Sequence, residues 1–258
     1  MKSIYNLIKE EIVNHPKVLN SVLGSISVWK RSNFIILAEI ITEELQNADE
    51  LQGDKKIELG ASISHITLQR FFESDYDEKT HNDLRFIRTL DKICIFLGFK
   101  DLNSYVLFVR KNRSPYNTTS SEFDTDIIYR YCNANFEFFK GFPKRNMELF
   151  KELIFEDSPF YGRIDEFSKE LCEKGLRLVT DNNRSNFEVF DIQIVADADD
   201  RKVLKTQEFW NLLFVMDTTG EEKFVHELNS QTYFIRKNNH QWKIWDNHNP
   251  NAGLLNSK

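Results

Sequence analysis

The chain predicts an α+β protein: an all-α N-terminal domain followed by a cone-shaped domain of three helices packed on a curved antiparallel sheet. Three observations carry this. Apolar residues recur at helical spacing up to residue 111, the stretch KNRSPYNTTSSEFD then carries no apolar period, and from Leu176 onward the period falls to two. The expected division is a helical domain over 1–111, a linker over 112–123, the α+β domain over 124–250 and a tail over 251–258.

In the first part, Ile4, Leu7, Ile8 and Ile12 form one helical stripe. Pro16 suits the first turn of a second helix carrying Val18, Leu19, Val22 and Leu23. Ser32 or Asn33 is placed to cap a third, with Leu37, Ile40, Ile41 and Leu45 on one side. After the break at Gly60, Ser62 or Ser64 is placed to cap a short helix bearing Ile66, Leu68, Phe71 and Phe72. An acidic loop follows. Thr89 is then expected to cap a helix that Gly98 ends, and a last helix runs through Tyr105 and Phe108.

In the second part, Asp124 or Thr125 is placed to cap a helix through Ile128, Tyr131, Cys132 and Phe139, stopped by Gly141 and Pro143. A short helix carries Met147 and Phe150, and a third runs from Phe160 to Gly175. The turn sequences DADD, TTGEE and NNHQ separate four strands, with a shorter one near Leu176 to Thr180.

Composition narrows the function. With 41% hydrophobic residues and 22 Phe the chain can bury a core in each half, and 34 basic against 40 acidic residues leave no global field for a polyanion. No apolar run approaches the ~18 residues of a membrane span, and Glu10 and Glu11 interrupt the N-terminus where a signal peptide would be apolar. A cytoplasmic protein is expected. Cys94, Cys132 and Cys172 lack the paired short spacing of a zinc site, no Gly-rich phosphate loop occurs, and the His-rich end of the chain reads as turn and tail. Neither metal nor cofactor is expected.

The strings VLKTQEFWNLLFVMD (203–217) and ELNSQTYFIRKNNHQWKIWDN (227–247) resemble the C-terminal strands of the nuclear-transport-factor-two-like, or SnoaL-like, superfamily. They are most similar in flavour to the intermembrane-space domain of plastid division proteins and its bacterial relatives. Thr206, Glu208, Phe209 and Trp210, then Gln231, Thr232 and Tyr233, then Trp242 and Ile244 carry the likeness, with Gln207 where a second threonine is commoner. The resemblance implies a concave face that hosts a small pocket or a partner, and a dimer formed through an exposed sheet face carrying Phe209 or Leu213. In the first half, SISHITLQRFFES followed by TLDKICIFLGF looks like the recognition and fourth helices of phage-repressor-type helix-turn-helix domains.

The candidate pocket residues are Tyr129, Trp210, Phe214, Tyr233 and Trp245 as large rings, with Asp191, Glu208 and His226 as strand residues able to face inward. The same rings also suit plain core filling, and no carboxylate–histidine pairing is legible, so no catalytic residue is assigned. For nucleic acid, the candidates are Ser64, His65, Thr67, Gln69 and Arg70, but Glu73, Asp75, Asp77 and Glu78 beside them oppose phosphate, which disfavours that reading. The expected function is a non-enzymatic cytoplasmic interaction or sensing protein of bacterial type, its cone binding a protein partner or small ligand. The alternatives are a transcription regulator with a DNA-binding helical domain and ligand-sensing cone, and a SnoaL-like isomerase or hydrolase.

Overall fold

The computed structural model describes residues 3–73, 84–112, 126–238 and 241–249. The acidic loop after Glu73, the linker at 112–123 beyond Asn112, the Asp124 or Thr125 cap and the tail at 251–258 lie outside the described residues. The chain divides into two compact units, Lys2–Arg113 and Ser114–Lys258.

The helical unit opens with α1 (Ile4–Asn14), where the Ser3 hydroxyl accepts the Asn6 N–H and Ile4, Ile8 and Ile12 are fully buried. Pro16 does start a helix, but α2 (Pro16–Leu19) is a single turn that passes into a 3-10 turn at Val22–Ser25. Leu19 and Val22, expected in its stripe, are exposed, because only Val18 and Leu23 point inward from so short an element. In α3 (Arg31–Asn47) the cap is Lys30, and Asn33 reaches back to accept its N–H at 2.8 Å. This reverses the expectation that Ser32 or Asn33 is itself the cap. Phe34, Leu37, Ile41 and Leu45 face the core.

After α4 (Asp54–Leu59), Ser64 caps α5 (His65–Glu73) by accepting the Ile66 N–H at 3.2 Å, with Leu68 and Phe71 buried. The next helix, α6 (Leu84–Phe96), begins well before Thr89. Thr89 therefore lies inside it, and its hydroxyl donates to the Arg85 carbonyl rather than capping. Gly98 adopts φ +86° and ends the helix, with the Phe99 N–H returning to the Cys94 carbonyl. Asp91 accepts the Leu102 N–H at the start of α7 (Leu102–Asn112).

The second unit is α+β. Helix α8 (Asp126–Lys140) buries Ile128, Tyr131, Cys132 and Phe138, and the expected short helix is a 3-10 helix at Met147–Phe150. Ser158 caps α9 (Pro159–Glu173), with Pro159 in its first turn, and Gly175 at φ +63° releases the chain. The strands are β1 (Leu176–Leu178), β2 (Asn186–Asp197), β3 (Arg201–Met216), β4 (Glu222–Asn238) and β5 (Gln241–His248).

All strand pairs are antiparallel. The order is β1-β3-β4-β5, and β2 pairs with β3 along the length that β1 leaves free. Register shifts interrupt β2/β3 between Val189 and Ile192 and again between Ile194 and Ala196, and β4/β5 between Phe234 and Ile235. Such bulges increase the local bend and twist, which lets strands of 16 and 17 residues wrap around α8 and α9. Leu153 and Phe155 hydrogen-bond to Ile244, so part of the β5 edge is occupied.

Residues 204, 210, 212 and 214 of β3, with 233 and 235 of β4, join the helices in one apolar core. Phe209 and Leu213 take the opposite face. Both are 0% exposed, where the sequence predicted an exposed face, because β3 is buried on both sides from Thr206 to Phe214.

Candidate functional site

Thr206, Glu208 and Trp210 alternate along β3, so their side chains share the face that meets the helices, and Gln231 and Tyr233 do the same on β4. The antiparallel register sets Thr206 opposite Gln231 and Leu204 opposite Tyr233, which draws these residues around the Glu208 carboxyl. One oxygen, Oε1, accepts from the Thr206 hydroxyl at 2.8 Å and the Tyr233 hydroxyl at 2.7 Å. The other, Oε2, accepts from the Trp210 indole N–H at 3.0 Å and the Gln231 amide at 3.0 Å. The Cys132 thiol of α8 lies close to this carboxyl.

Glu208 is 0% exposed. Burial pushes its carboxyl above the ordinary value, while the hydrogen bonds from Tyr233, Trp210 and Thr206 pull the other way. Burial likewise pushes the Cys132 thiol and the Tyr131 and Tyr233 hydroxyls well up, and the nearby Glu208 charge adds to each.

This cluster forms part of the lining of a cleft of about 490 Å³ between α8, α9 and the sheet. Its throat is apolar, with Tyr131, Phe138 and Phe160 from the helices against Trp210, Leu212 and Phe214 from β3. The rim is polar. Gln231 accepts the Asn247 amide at 2.8 Å, and the Arg163 guanidinium donates to the Asn247 carbonyl at 3.0 Å, so a hydrogen-bonded chain runs from the rim to Glu208. A cleft of this size, mostly aromatic with a few placed polar groups, has the make-up of a small-molecule site.

Of the eight pocket candidates, Glu208, Trp210 and Phe214 line the cleft, and Tyr233 stands behind Glu208 as its donor. The other four lie elsewhere. Tyr129 packs on Phe187 at 5.8 Å, and Asp191 accepts from the Gln193 amide at 2.6 Å. His226 occupies the opposite sheet face, its Nδ1 2.7 Å from the Asn211 amide oxygen and its ring edge-on to Phe209, so it does not meet Glu208. Trp245 is the extra residue of the β5 bulge and lies between the Arg236 guanidinium at 3.9 Å and Phe155.

The pocket candidates read from the sequence did not include Tyr131, Phe160 and Arg163, which line the cleft, or Thr206, which donates to Glu208. The alternation Thr206-Glu208-Trp210 was a usable signal, since three residues two apart share a face.

In the helical unit, Ser64 and His65 border a shallow groove with Glu39 and Glu43 of α3. Thr67 is half-buried, the Gln69 amide is held by Glu73, and Arg70 is exposed. Phosphate would meet the carboxylates of Glu39, Glu43 and Glu73 around this helix. Among the described residues no cluster of three or more His, Cys, Asp or Glu is placed to hold a metal ion, and no helix is long and apolar enough to cross a membrane.

No family model matches the chain, and no curated protein does. Among solved structures, the intermembrane space region of chloroplast protein ARC6 is similar over 48% of this chain and 91% of that one, at 12% identity and a TM-score of 0.37. An uncharacterized protein with a cystatin-like fold from Caulobacter vibrioides is similar over 51% of this chain and 94% of that one, at 15% identity and a TM-score of 0.33. The chain itself is an α+β protein, in which helices pack against a strongly curved antiparallel sheet.

Proposed function

We propose that the α+β unit is a small-molecule-binding module within a non-enzymatic interaction or sensing protein. The observation that carries this reading is the cleft, with its aromatic throat and a hydrogen-bonded polar cluster in its lining. Glu208 supports binding over catalysis. A carboxylate oxygen offers about two acceptor positions, and each oxygen of Glu208 already accepts from two donors. A general base needs a free lone pair at the reacting proton, and this carboxyl has none to spare. Its role is to hold β3 and β4 in register behind the cleft.

The test uses the neutral fluorescent probe N-phenyl-1-naphthylamine, titrated into the full chain. One probe per chain is expected, with micromolar affinity. Val225 lines the cleft and is only partly buried, so Val225→Trp fills the space from a position that tolerates bulk. This variant keeps the wild-type unfolding midpoint and loses the probe. Equal binding by Val225→Trp, or no binding by the wild type, contradicts the reading.

A further inference from the structure

We infer that the cleft selects a small organic monocarboxylate with an apolar, aromatic-sized body, and that Arg163 receives its carboxylate. This rests on the cleft being a ligand site. Arg163 lies in α9 at the rim, its guanidinium carbon 5.6 Å from the centre of the Phe160 ring. The side chain is pinned through one nitrogen. Nη2 donates to the Asp246 carboxylate, to the Asn247 carbonyl at 3.0 Å and to the Asn247 side-chain oxygen at 3.2 Å. Among the described residues, Nε and Nη1 donate to nothing, so three N–H groups remain on a cation whose position is already fixed.

A cation held in place by its neighbours loses little freedom on binding an anion. The other cleft cations are differently placed. Lys174 is paired with Glu170, and Lys223 is exposed on the far strand. The ring-lined throat beside Phe160 takes the body of a ligand whose charged end rests on Arg163.

The charge of the ligand is limited to one. Glu166 lines the same cleft one turn along α9, and Glu170 one turn further. A second carboxylate on the ligand would meet these groups, where like charge opposes it. Asp246, bound to Nη2, also offsets the charge that Arg163 presents, so removing that negative charge strengthens ligand binding.

The experiment compares 2-naphthoate, its neutral isostere 2-naphthamide and naphthalene-2,6-dicarboxylate by calorimetric titration of the full chain. The wild type is expected to bind 2-naphthoate about tenfold more tightly than the amide, the low end for a charge-assisted hydrogen bond at a half-exposed site, and more tightly than the dicarboxylate. Arg163→Gln brings 2-naphthoate down to the amide's affinity without changing the amide. Asp246→Asn raises affinity for 2-naphthoate, a gain that damage to the fold does not produce.

If the amide binds the wild type as tightly as the acid, the role of Arg163 is overturned while the cleft stands as a ligand site. If N-phenyl-1-naphthylamine binds but neither naphthalene ligand does, the inference also fails alone. If no probe binds, it falls together with the proposed function.

Discussion

Replacing Glu208 by leucine keeps nearly the same volume and removes the acceptor for four buried donors. Two of these, the Thr206 and Tyr233 hydroxyls, are free to turn about their C–O bonds. The Trp210 indole N–H and the Gln231 amide N–H are fixed in direction and remain unpaired. At about 1–3 kcal/mol for each buried unsatisfied donor, the loss is about 2–6 kcal/mol. Relief from burying a carboxylate works the other way, which places the net effect in the lower half of that range.

Glu208→Gln behaves differently. Its carbonyl oxygen takes the Oε2 position, accepting from Trp210 and Gln231. Its NH₂ then faces the two hydroxyls, which turn to accept. The expected cost is about 1 kcal/mol or less. Urea unfolding followed by tryptophan fluorescence reads both variants, since Trp210, Trp242 and Trp245 belong to the α+β unit and Trp29 to the helical one. With a urea dependence of about 1–3 kcal/mol per molar, the leucine variant lowers the midpoint by about 1–2 M and the glutamine variant by under half of that. A leucine variant as stable as the wild type, or a glutamine variant as unstable as the leucine one, refutes the account of this cluster.

The raised carboxyl of Glu208 also fixes the sign of a pH effect. Its contribution to stability is fully present below the unfolded-state value of about 4.3 and is lost as pH rises through the higher folded-state value. The wild type therefore gains stability relative to Glu208→Gln as pH falls from neutrality toward 4, measured by urea midpoints at successive pH values; a gap that is flat with pH, or that moves the other way, contradicts this. In the helical unit, a Cβ on Gly24 would stand 2.1 Å from the Leu19 carbonyl oxygen, which is backbone and cannot turn aside. Gly24→Ala is expected to destabilise that unit by about 1–3 kcal/mol, seen as a lower thermal midpoint by Trp29 fluorescence, and an unchanged midpoint refutes the contact.

Periodicity was enough to read most elements, because each helix buries one stripe and each strand alternates. The turn sequences DADD and TTGEE fall between β2 and β3 and between β3 and β4, where polar residues leave the ladder. Thr89 misled because the same hydroxyl that caps a helix bonds equally well to a carbonyl one turn back inside it. Pro16 marked a helix start correctly but said nothing of its length.

Half of the pocket was hidden for two reasons. The bulges in β2 and β5 break the alternation that would assign Asp191 and Trp245 to a face. The β3–β4 register, which sets Thr206 opposite Gln231, depends on pairing at long range. Arg163 was invisible in sequence because a basic residue in the first turns of an amphipathic helix looks like any solvated one.

The central claim, that the cleft beside Glu208 is a ligand site, is tested most directly by the four tryptophan indole resonances of ¹⁵N-labelled full-length protein. The Trp210 indole N–H is bonded to Glu208 and its ring lines the cleft, whereas Trp29, Trp242 and Trp245 do not. Titration with N-phenyl-1-naphthylamine is predicted to shift the Trp210 indole signal saturably and to leave the other three in place. A Trp210 signal that stays fixed, or that moves no more than those of Trp242 and Trp245, contradicts the claim.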